Sequence, residues 1–535
     1  MKSSLLNKKE PLASKIIINA MFAFLVFLPF GYTVFLNIKD LNVMFPLAHD
    51  FPLLFMAPFV AIITIILLVW LFNAKATGDK STMIILSAIV FIAFASRVYV
   101  AYKLHPVPIS DFASCYQFAL DGTSFIENMK RVPYNAIYSM LIHSIMSIFG
   151  EGTFQIQVFH AVISAIISVT LYFTCISFTN EKRIGLIAAF FYAVNPAAVL
   201  YSTVISTENV SALFFALMLL FMAKAWIIRE DNLKKSLLFS FIAGVFLGCM
   251  NLFKPVGTLA VVAFAVCEIL TYTIPAVIIF FKSKGTRKHS AKMIVVSVAL
   301  LMLIPIANSV VFSMGKVCRE AALGSPIDDK DSYSLSSIGS VAYFGLSPIG
   351  GGGWHHTTSA TLREATAMFN DPKQTSDYLM NKLIVETKAA GLPAFITMIK
   401  NKINISWANE WLIGYYATRV DSTNTAATFM DNPVGNTLTC YIPTLYTVLI
   451  NLGASLGFLY LFLRKKRCPT FCTFGACMLG IVFVSFTILE TQSRYKSTFV
   501  PIICIFAAIG YTHCVGFAMR ILRSIKNKCI AHKAQ

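Results

Sequence analysis

The sequence predicts an all-α protein that crosses a membrane many times, and three observations support this class. Of the 535 residues, 57% are hydrophobic and only 13% are charged, whereas about 25% charged residues are usual in soluble domains. The mean hydropathy is +0.71. Apolar runs of about 20 residues, the length that spans a bilayer, recur along the chain. A soluble chain of this length needs more polar surface, so soluble enzymes, secreted scaffolds and disordered proteins are excluded.

Twelve segments have the length and composition of a membrane-spanning helix. They are 16–38, 52–73, 82–102, 154–179, 184–203, 209–228, 235–252, 257–281, 293–315, 440–463, 470–489 and 498–519. The first follows a lysine-rich tail and lacks a small-residue cleavage site, so we expect a retained span rather than a signal peptide.

Two more apolar segments are ambiguous. Residues 134–149 form a run of 16 residues that contains Asn135 and His143, which is short for a span. Residues 393–413 are amphipathic and are interrupted by Lys400 and Lys402. They therefore either lie flat on the membrane or form a thirteenth span.

Positive charge predicts the orientation, because Lys and Arg are enriched in cytoplasmic loops. The chain has 44 Lys and Arg against 25 Asp and Glu, a net charge of +19. With cytoplasmic termini and residues 134–149 as an interfacial helix, 24 of the 44 basic residues fall in cytoplasmic segments. If 134–149 crossed the membrane instead, the basic loops after it would lie outside. Topology thus accounts for the charge excess, and we expect lipid headgroups rather than nucleic acid as its partner.

This topology divides the chain into four regions. Residues 1–81 contain two N-terminal spans, and 82–315 form a transmembrane core whose first outer loop is 103–153. Residues 316–439 form an extracytoplasmic segment that we expect to contact the acceptor, and 440–535 contain the last spans and a basic tail. Cys318 and Cys440 bracket the outer segment, where two free thiols or one disulfide both fit the sequence.

Three carboxylates map to the same outer face of the membrane. Asp111 lies in the first outer loop, and Glu208 and Glu490 each lie at the outer end of a span. Ionisable residues in or beside spans are costly and therefore mark functional sites by default. Glu268 lies in the middle of a span, and we expect it to be a hydrogen-bonded interior carboxylate without a chemical role.

Four cations lie at this face as well: Arg97, Lys254, Arg494 and Lys496. The planar guanidinium of Arg donates hydrogen bonds in pairs to phosphate, and Lys adds a point charge. A phosphate site at the outer membrane surface beside apolar helices predicts a phospholipid or a polyprenyl phosphate as the ligand.

Each candidate also has a purely structural interpretation. Asp111 and Glu208 each precede a helix, whose N-terminus a carboxylate stabilises. Glu490 and Arg494 have the spacing of an i,i+4 ion pair on a helix. Arg97 has the position of a side chain that extends to the interface while its stem stays in the bilayer.

Four stretches occur in a fixed order: SRVYVAYKLHPVPISDFASCYQFA, VPYNAIYSMLIHSIMSIFG, GLIAAFFYAVNPAAVLYSTVISTENVSALFFAL and ETQSRYKSTFVP. This succession resembles the GT-C glycosyltransferases, and most closely the bacterial branch related to the protein O-mannosyltransferases and the lipid A aminoarabinose transferase. The matches cover roughly 82–285 and 485–502. The chain departs from the family in two ways. Phe112 follows Asp111 where many members have a second acid, and two extra spans precede the family's first.

The resemblance implies a GT-C-like bundle of about 12 spans in a bacterial plasma membrane. It also implies an enzyme that moves a hexosyl or pentosyl group from a polyprenyl-phosphate donor to a hydroxyl acceptor. The acceptor is a cell-envelope glycan, a lipid or a protein, and transfer takes place on the extracytoplasmic face, usually with inversion.

In this interpretation Asp111 is the general base, because a hydroxyl acceptor is a poor nucleophile. Glu208 either positions the acceptor or shares a divalent cation with Asp111; no other cofactor is implied. The remaining residues that we expect to bind substrate are Arg97, Tyr116, Lys254, Glu490, Arg494, Tyr495 and Lys496. Arg97, Lys254 and Arg494 would hold the phosphate, and the two tyrosines would shape the sugar pocket.

Two alternatives remain open at this stage. A transporter or flippase for lipid-linked saccharides should have polar groups along a path across the bilayer, whereas the ionisable groups here gather at one face. A ligase would also use outward arginines, and it differs from the transferase in taking a diphosphate-linked oligosaccharide rather than a monophosphate-linked sugar.

Overall fold

A computed structural model of the protein describes most of the chain from residue 78 onward. The described ranges are 78–126, 132–282, 287–324, 337–353, 355–369, 371–419, 433–463 and 470–533, together with residues 32, 33, 129, 285 and 430. Within these ranges every regular element is a helix, as the sequence predicts. The predicted spans 16–38 and 52–73 fall outside the described residues.

Seventeen helices, numbered in chain order, make up this region. They are α1 Asp79–Leu104, α2 Asp111–Asp121, α3 Pro133–Phe149, α4 Thr153–Thr179, α5 Lys182–Ala193, α6 Pro196–Tyr201, α7 Thr207–Ile228, α8 Leu233–Phe253, α9 Gly257–Lys282, α10 Arg287–Leu323, α11 Ile338–Leu346, α12 His356–Phe369, α13 Pro372–Ile403, α14 Trp411–Ala417, α15 Val434–Leu463, α16 Thr470–Ile488 and α17 Val500–Lys533. A short 3₁₀ helix, Ser493–Phe499, leads into α17.

Nine helices of the described region are long and apolar enough to cross a membrane. They correspond to nine of the ten spans predicted after residue 78, so the many-span architecture is confirmed, whereas the total of twelve is not. The tenth predicted span, 184–203, divides into α5 and α6. Pro196 begins α6, and the Asn195 side chain accepts a hydrogen bond from the backbone N–H of Ala198. Proline lacks an N–H and cannot continue α5, whereas it suits the first position of a new helix.

The two ambiguous segments do not form continuous spanning helices. Residues 134–149 coincide with α3, a helix of 17 residues that is not among the nine. The segment 393–413 is divided at Asn409, which is extended (φ −134°, ψ 161°) and ends the π-helical stretch Asn404–Ala408 before α14 begins at Trp411. Just before it, Gly391 has a φ of 76°, which bends α13. The interpretation of 393–413 as a thirteenth span is therefore wrong for this structure.

Small residues allow α15 and α17 to pack closely. A Cβ atom added at Gly510 would lie 2.0 Å from the carbonyl oxygen of Gly453, and one added at Gly457 would lie 2.3 Å from that of Phe506. Backbones that approach so closely gain van der Waals contact, which is the main attraction between helices in lipid. This contact fixes α17, whose preceding 3₁₀ turn carries Arg494 and Lys496.

A buried ion pair links three spans, α7, α9 and α10. Arg229 donates to Glu268, which also accepts hydrogen bonds from Ser297 (2.7 Å) and from the Trp226 indole (3.3 Å). Both charged side chains are fully buried, so each compensates the desolvation of the other. The prediction that Glu268 is a hydrogen-bonded interior carboxylate is confirmed.

The outer segment forms its own small helical layer and attaches to the bundle through a buried lysine. Within the layer, Tyr343 and Ser347 donate hydrogen bonds to Glu386, at 2.9 Å each. Lys402 donates to the carbonyl oxygens of Gly345 and Leu489. Because Leu489 directly follows the last residue of α16, the Lys402 ammonium group links the outer segment to the end of a span. Cys318 and Cys440, which flank the segment, are both free thiols.

Burial of Lys402 makes the stability of this attachment depend on pH. Desolvation lowers the pKa of Lys402 to about 7 from an ordinary 10.5. Between these values the unfolded chain binds more protons than the folded chain, so the stability contribution of this residue rises with pH. We expect the melting temperature of wild type minus that of Lys402→Met to increase from pH 7 to about 8.5.

The matched control is Lys400→Met, which changes an exposed lysine on the same helix. Its melting temperature should follow that of wild type across this range. A difference between wild type and Lys402→Met that stays constant or shrinks as the pH rises would contradict the prediction.

Candidate active site

Asp111 is presented by a strained turn at the start of α2. The preceding residue, Ser110, has φ 55° and ψ −134°, a conformation that is rare for residues other than glycine and that occurs preferentially at functional sites. The Asp111 side chain is half exposed. It lies in the first turn of α2, as the sequence predicts, and its carboxylate faces Arg494 from there.

Glu208 lies at the second position of α7 and is nearly fully buried. Its Oε1 accepts a hydrogen bond from Lys254 Nζ at 2.8 Å, and its Oε2 accepts one from the Thr207 hydroxyl at 3.2 Å. Ser206 occupies the N-cap position of this helix. Glu208 therefore does more than stabilise the helix start, since it neutralises a lysine that follows the end of α8.

Arg494 links the two carboxylates. Its Nη2 lies 3.5 Å from Asp111 Oδ2, and its Nε lies 4.0 Å from Glu208 Oε1. The Nε–H also donates to Gln492 Oε1 at 2.7 Å, and the guanidinium stacks 4.9 Å from the centre of the Phe112 ring. The structure thus brings together four residues that are far apart in sequence, namely Asp111, Glu208, Lys254 and Arg494.

These four residues line a polar cavity of about 280 Å³. The other lining residues are Phe112, Cys115, Tyr134, Asn135, Tyr138, Ile205 and Thr207. The Nδ2 of Asn135 is buried and has no hydrogen-bond partner, so one amide donor remains available there. Burial raises the pKa of Tyr134 above its ordinary value, which keeps this phenol neutral beside the carboxylates.

Tyr495 belongs to the rim of the same cluster. The ammonium of Lys254 lies 4.3 Å from the centre of its ring, a cation–π distance that holds the lysine in place. Its hydroxyl donates to Glu490 at 3.3 Å, and Glu490 also accepts from Gln492 at 2.8 Å. Because 490–492 are not helical, Glu490 and Arg494 do not form the i,i+4 pair that their spacing predicts.

Arg97 and Tyr116 lie apart from this cavity. Arg97 is fully buried and donates to the carbonyl oxygens of Ala93, Ala193 and Tyr192, at 2.9, 2.8 and 3.2 Å. It therefore does not extend to the interface. Tyr116 is half-buried on α2, and burial raises its pKa. Neither residue lines the cavity of Asp111.

Lys496 forms a second buried pair that the sequence did not reveal. Its Nζ lies 2.9 Å from Glu410 Oε1, and both side chains are buried. Glu410 lies inside the amphipathic segment 393–413 rather than at the end of a predicted span, so the sequence does not mark it as a candidate. Asn135 was likewise seen only as a polar interruption of α3. No alternation or spacing marks either residue as functional.

Asp111 and Glu208 do not face each other directly, because the Arg494 guanidinium lies 3.5 Å from Asp111 Oδ2 and 4.0 Å from Glu208 Oε1. A divalent cation shared by the two carboxylates stays a prediction. Across the described parts of the chain, His, Cys, Asp and Glu form no group of three or more suited to a metal. The chemistry that this site supports is anion binding by Lys254 and Arg494 beside a half-exposed carboxylate.

Comparison with known proteins gives one family match. Residues 136–312 match the family described as dolichyl-phosphate-mannose-protein mannosyltransferase. The match covers α3 to α10, including Glu208 and Lys254, which amounts to about a third of the chain. No curated protein sequence matches the chain.

Solved structures provide more distant similarities. The apo oligosaccharyltransferase of Archaeoglobus fulgidus is 13% identical with a TM-score of 0.44, and the match covers 84% of this chain and 52% of that one. The same organism's oligosaccharyltransferase AglB, in complex with an inhibitory peptide and a dolichol-phosphate, is 14% identical with a TM-score of 0.41. That match covers 84% of this chain and 52% of AglB. ArnT from Cupriavidus metallidurans, bound to undecaprenyl phosphate, is 12% identical with a TM-score of 0.34. That match covers 79% of this chain and 78% of ArnT.

The chain thus spans about half the length of the oligosaccharyltransferase structures that it matches. The family match, in contrast, contains one of the four sequence stretches that suggested the resemblance, 185–217, and most of a second, 132–150. It confirms, for residues 136–312, the resemblance to the GT-C glycosyltransferases that those stretches predicted.

Proposed function

We propose that the protein is a membrane glycosyltransferase that moves a sugar from a polyprenyl-phosphate donor to a hydroxyl acceptor on the extracytoplasmic face. The observation that carries the proposal is the position of Asp111. Its half-exposed carboxylate lies 3.5 Å from Arg494, in a cavity that Lys254 also lines. A proton acceptor and two phosphate-binding cations therefore face the same space.

The donor phosphate would be bound by Arg494 and Lys254. A guanidinium and an ammonium are the two groups that best stabilise the charge that develops on a departing phosphate. The unpartnered Asn135 amide supplies a further donor. Glu208 does not itself bind the phosphate; it holds both cations in place, since Lys254 and Arg494 would otherwise repel each other.

Asp111 would act as the general base. As the acceptor oxygen bonds to the anomeric carbon, the bond from that carbon to the phosphate oxygen breaks, and the acceptor proton passes to the Asp111 carboxylate. In the resting site this carboxylate lies 3.5 Å from the Arg494 guanidinium. Binding of the phosphate would draw Arg494 toward the new anion and leave the Asp111 carboxylate open to the acceptor hydroxyl.

Two further observations support the substrate class. The matching family is described by a dolichyl-phosphate-linked mannose, and two of the similar structures hold a polyprenyl phosphate, dolichol-phosphate in one and undecaprenyl phosphate in the other. The positive charge distribution predicts that the site faces away from the cytoplasm. The resemblance implies a bacterial plasma membrane, where cell-envelope glycans, lipids and proteins offer hydroxyl acceptors.

A transporter or flippase is less well supported. The mid-span carboxylate Glu268 is fully engaged by Arg229, Ser297 and Trp226, so it offers no step on a path across the bilayer. A ligase would share the outward arginine, and it is distinguished by its preference for a diphosphate-linked oligosaccharide as donor.

Replacement of Asp111 by Asn tests the general base. We expect Asp111→Asn to lower kcat by about 10²–10⁴-fold, the usual contribution of a positioned base, with little change in donor KM. The measurement is transfer from a polyprenyl-phosphate sugar to an added hydroxyl acceptor. The matched control is Asp121→Asn at the other end of α2, which should keep wild-type turnover. Near wild-type turnover of a folded Asp111→Asn protein would exclude the base assignment.

Replacement of Arg494 tests the phosphate site. A hydrogen bond to a charged group is worth about 1.5–3 kcal/mol, so Arg494→Ala should weaken binding of a polyprenyl phosphate by roughly tenfold to a hundredfold. Arg494→Lys should fall between wild type and Arg494→Ala, because the charge remains and the paired donors are lost.

The control for this series is Arg363→Ala, an exposed arginine of the outer layer. Binding of a sugar-free polyprenyl phosphate, titrated into the full chain in lipid nanodiscs, provides the measurement. Unchanged affinity of Arg494→Ala would show that the phosphate binds elsewhere.

A further inference from the structure

A second and larger cavity lies behind Glu208, on the side away from Asp111. Its volume is about 600 Å³ when the space toward its opening is included. Glu208 is the one residue that lines both this cavity and that of Asp111. The walls come from α5, α6, α7, α14, α15 and the 3₁₀ turn before α17 together with the start of α17.

The cavity contains a buried charge pair that the proposed transfer reaction does not use. Glu410 and Lys496 face each other at 2.9 Å. Thr447 also donates a hydrogen bond to Glu410 Oε1, at 2.6 Å. The backbone of Glu410 is fixed as well, since its N–H donates to the Thr444 hydroxyl and its carbonyl accepts from Ile413. Glu410 is thus held rigidly at the cavity wall.

Two polar groups of the wall are left without partners. The Oε2 atom of Glu410 and the hydroxyl of Tyr201 are buried and make no hydrogen bond. Both residues are about 1% exposed, and both line the cavity. A buried polar atom without a partner destabilises the fold, and a charged one does so more strongly. A ligand that donates a hydrogen bond to the carboxylate and forms one with the phenol would remove this penalty.

The charge of the cavity indicates what kind of ligand would bind. Lys496 is the one cation among the described residues of this wall, and Glu410 pairs with it at 2.9 Å. No arginine lines the cavity, whereas Arg494 lines that of Asp111, so the paired donors that suit a phosphate are missing here. Apart from Glu208, Glu410 and Tyr201, the remaining wall residues are uncharged: Tyr192, Thr447, Ser497, the amides Asn195, Asn209 and Asn451, and an apolar floor of Ala197, Ala198, Ala212, Ile413, Ile450, Val500 and Ile503. Amides and a carboxylate around an apolar floor match the hydroxyl groups and the C–H face of a sugar ring.

We propose that the cavity behind Glu208 binds an uncharged sugar ring, with Glu410 Oε2 accepting a hydrogen bond from a ring hydroxyl and Tyr201 contacting a neighbouring one. The proposal rests on the proposed function only for the origin of the sugar, which is either the transferred sugar of the donor or a sugar of the acceptor. Lys496 is then a positioning residue, because it acts on the ligand through Glu410.

The experiment uses the full chain in lipid nanodiscs and a panel of neutral methyl glycosides that includes hexosides and pentosides. Ligand-observed NMR measures whether each glycoside binds saturably. Glu410→Gln and Tyr201→Phe remove the two unpartnered groups. Ala198→Leu fills the cavity and leaves the Glu410–Lys496 pair intact, so it tests the site even if Glu410→Gln is unstable. Glu386→Gln, a carboxylate bonded to Tyr343 and Ser347 in the outer layer, is the matched control.

We expect at least one glycoside to bind, and we expect Glu410→Gln and Ala198→Leu to weaken it by tenfold or more while Glu386→Gln does not. Competition by a polyprenyl-phosphate sugar would assign the ring to the donor, and simultaneous binding would assign it to the acceptor. Three results would overturn the proposal: no glycoside binds to wild type, the folded variants bind as wild type does, or a sugar-free polyprenyl phosphate or inorganic phosphate occupies the cavity instead. Glycoside binding without any sugar transfer would refute the proposed function and leave this inference standing.

Discussion

The buried carboxylate of Glu208 is the interaction on which the arrangement of the candidate active site depends. An ionised carboxylate is costly to remove from water unless cations compensate it, and here Lys254 and Arg494 do so from two different parts of the chain. The pairing fixes the start of α7, the end of α8 and the turn before α17 relative to one another. Asp111 then lies beside Arg494 because α2 packs over this cluster. Loss of Glu208 would therefore disturb the arrangement of the site before it affected any chemical step.

The spans and the main site residues could be predicted from the sequence because each follows from a local property. A run of about 20 apolar residues is sufficient to indicate a span, and carboxylates at span ends are conspicuous since lipid disfavours them. On these grounds the sequence singled out Asp111, Glu208, Lys254 and Arg494, which the structure brings together. Their roles stay predictions, since proximity alone does not assign a base or a phosphate ligand.

Other features could not be predicted because they depend on distant partners. In the sequence, Arg97 lies near the end of a span, which is typical of an interfacial cation. In the structure, α5 ends nearby at Ala193 and leaves carbonyl groups without partners inside the helix. The Arg97 guanidinium satisfies two of them, at Tyr192 and Ala193, so its position is explained by the break before Pro196. Glu410 is similar, because only the folded chain shows that it meets Lys496. Sequence patterns reveal the periodicity of helices and the positions of their ends. They do not reveal which residues pair when those residues are far apart in the chain.

The position of Glu208 in the wall of both cavities has a consequence for how ligands communicate. A ligand bound in one cavity changes the electrostatic field at the Glu208 carboxylate and the freedom of its side chain. The other cavity is lined by the same carboxylate, so its ligand experiences the change. Affinities on the two sides are then linked, and the linkage is reciprocal: if a phosphate ligand strengthens sugar binding by some factor, the sugar strengthens phosphate binding by the same factor. A single shared side chain is sufficient for such coupling, without any movement of the helices that surround it.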